Sequence, residues 1–175
     1  MPKTNTIILA SIHLISLLLV CYLNNLFLES NAAIVGLCFP GLIWGFLFFI
    51  FNLKIIKDKT FAGVGFITSN LFFWPLMLFI GATAGMMLYS IHPIFVFPLV
   101  GGLAAFCSYY LFSVFILSNY LRSQAFVSFL LGMASFVIIE MYKSSLMINY
   151  LIFTWQLFVG SGLIYFGIKH RKGLS

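Results

Sequence analysis

A chain of 175 residues that is 63% hydrophobic and only 7% charged cannot clothe a water-soluble globule, where about a quarter of residues carry charge. Its 22 Phe alone would leave apolar patches on any soluble fold of this size, and the mean hydropathy of +1.14 agrees. The net charge of +6 comes from nine basic residues scattered through short polar segments without a basic run, which argues against nucleic-acid binding and for a chain whose solvent is the lipid bilayer.

Crossing the hydrocarbon core takes about 20 mostly apolar residues in a helix. Six stretches qualify, and the sequence predicts an all-α polytopic membrane helix bundle forming one domain over 1–175. The first span covers about 6–28. It follows Lys3, as a signal peptide would, but its apolar run continues to Leu28 and no small-x-small cleavage site ends it. His13 lies within it. The second span, 33–53, contains Pro40-Gly41 and Trp44. The third, 62–88, contains Asn70, Trp74-Pro75 and the G-x-x-x-G pair Gly81 and Gly85, whose spacing puts both on one helix face for close packing. The fourth, 94–118, carries Pro98, the small residues Gly101, Gly102, Ala104 and Ala105, and then Tyr109 and Tyr110. The fifth, 125–141, is the shortest and holds Gly132, Ala134 and Ser135. The sixth, 148–168, holds Trp155, Gln156 and Gly160-Ser161-Gly162.

The linkers are too short for a soluble domain, so function belongs to the bilayer and its two interfaces. Basic residues set the orientation. With the N-terminus cytoplasmic, Lys3, Lys54, Lys57, Lys59, Arg122, Lys169, Arg171 and Lys172 all fall inside, and Lys143 alone falls outside with Glu29 and Glu140. A wrong span count would scramble this split, which therefore supports six spans with both termini cytoplasmic in a cell membrane, an inner membrane if the source is bacterial. Tyr89, Tyr142 and Tyr150 mark the outer interface, and Tyr120 and Tyr165 the inner one. Trp44, Trp74 and Trp155 lie inside their spans, so they pack between helices or line a cavity.

Polar groups inside a span are costly and raise functional questions. His13, Asn70, Tyr109 and Gln156 fall at similar depths in the inner half, measured at 1.5 Å per residue. They form either a layer that lines a small-molecule or ion site, or a hydrogen-bond network that only fixes packing, worth about 0.6 kcal/mol per contact. Glu29, His92, Glu140 and Lys143 form a second group at the outer face. Glu140 and Lys143, three apart, can pair on one helix face, so this group is either a selective mouth or solvated loop ends with a salt bridge. Gly81, Gly85, Gly101 and Gly160 are read as helix-packing positions, within the bundle or toward a partner helix. Three prolines inside spans can kink their helices, as in transporters whose broken helices bound a site.

Catalytic signatures are lacking. There is no H-E-x-x-H, G-x-S-x-G or P-loop, and three acidic residues offer little acid–base chemistry. Cys21, Cys38 and Cys107 have no metal or redox spacing, so no metal or other cofactor is expected. Six short-looped spans in under 200 residues resemble, in size and span count alone, the substrate-capture subunits of modular vitamin importers. The expectation is a non-enzymatic transport or substrate-binding membrane subunit with a small-molecule ligand. The alternative is an accessory, immunity or exclusion protein that binds partner helices or a second copy of itself. A lipid-modifying enzyme is the third reading.

Overall fold

A computed structural model of the chain describes residues 3–29, 33–87, 93–141 and 148–173. They form six α-helices and, among the described residues, no strand: α1 (Lys3–Glu29), α2 (Ala33–Asn52), α3 (Lys59–Met87), α4 (Pro93–Phe112), α5 (Arg122–Met141) and α6 (Ile148–Gly173). Each falls on a predicted span, but most run longer. A helix satisfies its backbone internally and has no reason to stop where the apolar residues do. Thus α3 begins three residues before the predicted 62, because Asp58 caps it: the Phe61 amide donates to Asp58 Oδ1 at 2.9 Å. In the same way α5 starts at Arg122, with the Gln124 and Ala125 amides donating to the Leu121 carbonyl at 3.0 Å each. The fifth helix, expected to be shortest, is as long as α2 and α4.

Two of the helices are both long and apolar enough to cross a membrane among the described residues, over Lys59–Gly81 and Val96–Leu117. Shorter apolar stretches cover Ile7–Leu23, Gly41–Asn52 and Arg122–Ile138. The helices continue through Pro75 and Pro98. α4 instead widens at its end into a π-helical turn, Ser113–Leu117, closed by Ser118 in the left-handed region (φ 49°, ψ 27°). This turn sets the Phe115 ring against Gly65 of α3, where a Cβ would collide with it.

Each helix packs on the next along the chain, and α6 returns to α1, closing a ring. Aromatic side chains fill its centre. Trp44 of α2, Trp74 of α3 and Trp155 of α6 meet at centroid separations of 6.1, 6.1 and 5.2 Å. Phe48, Phe66 and Phe112 continue the stack, with Phe112 edge-on to both of the others. Close backbone contacts hold the ring. Gly101 of α4 and Gly132 of α5 face each other, and a Cβ on Gly101 would sit 2.9 Å from the Gly132 carbonyl oxygen. At Gly41 of α2 a Cβ would strike the Asn70 carbonyl of α3 and lie 2.7 Å from Trp74 Cδ1.

Candidate functional site

The four residues of the expected polar layer are all buried, at 5% exposure or less. They do not share one level. His13 stacks flat on Phe51 of α2 at 4.0 Å, near the last turn of that helix. Asn70 lies against Gly45 and Gly41, about 10 to 15 Å further along α2. Its amide nitrogen donates to the Phe66 carbonyl of its own helix at 2.8 Å. Tyr109 turns to the α4–α5 connection, where its hydroxyl donates to Gln124 Oε1 at 3.0 Å and accepts from the Leu121 amide at 3.1 Å. Counting residues from a span end assumes flush helix ends, whereas His13, well inside α1, meets Phe51 in the last turn of α2.

Two separate polar centres result. The first is at the Lys-rich end, where Asn52 joins His13's neighbour Phe51 to the end of α6. Asn52 donates to the Phe48 carbonyl at 2.8 Å and accepts a long hydrogen bond of 3.4 Å from Arg171. Gly167 leaves room for it, since a Cβ there would lie 2.7 Å from Asn52 Oδ1. Burial pushes the Arg171 guanidinium down from its ordinary value, though an arginine remains a cation at any physiological pH. Its Nε is buried and makes no hydrogen bond among the described residues. Asn52 and Arg171 escape a reading of the sequence because both sit where spans end and solvated polar residues are ordinary.

The second centre is at the tryptophans. The Trp155 indole N–H donates to the Gly101 carbonyl at 2.9 Å and ties α6 to α4 beside the Gly101–Gly132 contact. Trp74 Nε1 is buried and makes no hydrogen bond among the described residues. Gln156, the next residue after Trp155, is 0% exposed, and neither its amide oxygen nor its nitrogen makes a hydrogen bond among the described residues. One turn on, Gly160 lets α6 close on Leu17 and Trp44, at 2.7 and 2.8 Å from where a Cβ would be. Asn70 and Gln156 thus belong to this centre, while His13 and Tyr109 belong elsewhere. Among the described residues a Cβ on Gly81 would meet only Val100, in ordinary contact at 3.6 Å. Gly85 belongs to α3, Glu29 to α1 and Glu140 to α5, but their side-chain surroundings lie outside what the structure describes, and His92 and Lys143 lie outside the described residues altogether. Among the described residues no three His, Cys, Asp or Glu side chains converge to hold a metal.

A lateral groove of about 650 Å³ opens between α5 and α6, floored by Leu131 and Leu157 and reaching Gln124 and Lys169 at one end. No protein-family model, curated protein or solved structure matches the chain.

Proposed function

We propose that the chain is a six-span, multi-pass protein of the cell membrane with both termini cytoplasmic, and that it holds a small molecule in its interior as a non-enzymatic transport or substrate-binding subunit. Two helices of spanning length, the division of basic residues and the outward-turned apolar side chains support the membrane reading. On α3 the outward face runs through Val64, Phe72 and Phe79, each about two-thirds exposed, and such a face is stable in lipid and not in water.

Gln156 carries the binding reading. A buried polar group without a partner costs about 1–3 kcal/mol, and this side chain has two such atoms. A ligand with one donor and one acceptor would satisfy both. Gln156→Leu tests this. Native mass spectrometry of the gently solubilised wild type is expected to reveal a bound small molecule that the variant lacks, although the variant folds at least as stably. An empty wild type, or a variant that keeps the molecule, contradicts the reading.

One observation favours the alternative of a helix-binding partner protein. Gly81 lies beside exposed Phe79 and Ile80, and among the described residues a Cβ on it would make only an ordinary contact, with Val100 at 3.6 Å, so a second helix could approach this surface. A photo-crosslinker at Phe79 would then capture one defined membrane protein, and capture of lipid alone would count against it.

A further inference from the structure

The α5–α6 groove differs from the rest of the bundle's apolar surface in shape and in how its polarity is distributed. Its walls follow one face of each helix, through Val127 and Leu131 on α5 and through Phe158, Gly162 and Tyr165 on α6. Gly162 is what lets Leu131 sink into the floor, since a Cβ there would lie 2.7 Å from Leu131 Cδ1. The Ser161 hydroxyl, which also lines the groove, is spent on the Leu157 carbonyl at 2.7 Å and leaves the middle without a free donor. The remaining polarity gathers toward one end, where exposed Tyr165 lies one turn from Lys169. Lys169 is exposed there, Ser123 and Gln124 face it from α5, and Arg122, also exposed, precedes Ser123. Tyr109 holds the Gln124 amide by its oxygen, which leaves the NH2 group as a donor.

From Phe158 to Lys169 the groove runs about 16 Å along α6, at 1.5 Å per residue. One leaflet of hydrocarbon is about 15 Å thick. The volume of about 650 Å³ falls within the range of ligand sites, about 300–1,000 Å³. A feature one leaflet long, apolar along its length and cationic at its interfacial end has the polarity profile of an anionic phospholipid. We infer that this groove is a site for one anionic phospholipid of the cytoplasmic leaflet. The phosphate lies at Lys169 with Ser123 and the Gln124 amide, and an acyl chain lies over Leu131 toward Phe158. The inference rests on the membrane reading above but is independent of Gln156 and the tryptophan centre.

The test uses the full chain in nanodiscs holding equal parts of phosphatidylglycerol and phosphatidylcholine, with retained lipid counted by native mass spectrometry. Wild type is expected to keep one phosphatidylglycerol in preference to phosphatidylcholine. Lys169→Gln should reduce that preference about fivefold, the worth of one basic residue at an anionic surface. Ser161→Phe keeps every charge and fills the groove, and should abolish retention. Lys54→Gln, which removes an exposed charge in the α2–α3 connection, should change nothing. Equal loss from Lys169→Gln and Lys54→Gln, or retention by Ser161→Phe, would overturn the site. So would a wild type without preference. Failure of the chain to co-elute with the nanodisc contradicts the membrane reading instead, so the two failures are distinguishable. Monodisperse elution of each variant with its disc separates loss of lipid from loss of fold.

Discussion

At the scale of single residues, the buried polar groups were the most legible feature and their partners the least. A polar side chain in the middle of an apolar run must face inward or leave its hydrogen bonds unmade in lipid, so the burial of His13, Asn70, Tyr109 and Gln156 follows from their positions alone. Their partners depend on how far each helix slides past its neighbours, which no single run of residues encodes. Tyr109 is the clearest example, since it meets Gln124 and the Leu121 amide across a connection whose path the sequence does not specify. Two predictions belong here. In protein stripped of ligand, Gln156→Leu removes two unpaired amide atoms and should raise stability by about 1–3 kcal/mol, read as a higher midpoint in thermal unfolding. Trp155→Phe keeps most of the ring packing but deletes the donor to Gly101. It should lower stability by about 0.6 kcal/mol, the average for a hydrogen bond between membrane helices.

At the scale of elements, six helices could be read from the apolar runs, but their ends could not, because a helix edge is set by caps and turns. Asp58 is the instructive case. It lies in a Lys-rich connection, where an acidic residue reads as ordinary solvation, yet it accepts the Phe61 amide and sets the start of α3. Asp58→Ala should destabilise the fold by about 1 kcal/mol, and Asp58→Asn should restore most of that in the same unfolding assay. The small residues divide in the same way. Gly101 and Gly160 are packed as tightly as their composition suggested, whereas among the described residues a Cβ on Gly81 would make only an ordinary contact, with Val100 at 3.6 Å. Which glycines meet a neighbour depends on helix rotation, and a stripe of small residues is silent on that. Gly132→Leu forces a side chain onto the Gly101 carbonyl and should cost about 1–3 kcal/mol, while Gly81→Leu should be tolerated in the purified protein.

At the scale of the whole molecule, the closed ring explains how so apolar a chain forms a defined structure. In the bilayer proposed above, helices would gain nothing from hydrophobic burial, and close backbone contacts and shape would have to hold them together. Here the Gly41–Asn70 and Gly101–Gly132 contacts bind neighbouring helices, and the three tryptophans fill the space where α2, α3 and α6 converge. The polar atoms left at that centre and the cation-tipped groove on its flank are the two places where this ring departs from simple packing. Both acquire meaning only if the ring lies in a bilayer with its Lys-rich end inward, and a set of reporter fusions measures that directly. A periplasmic-active phosphatase and a cytoplasm-active fluorescent protein are each joined after Ser175 and, separately, inserted beside Ser144. The account predicts fluorescence without phosphatase activity after Ser175, and phosphatase activity without fluorescence beside Ser144. The same side reported at both positions, or the reverse assignment, would contradict it.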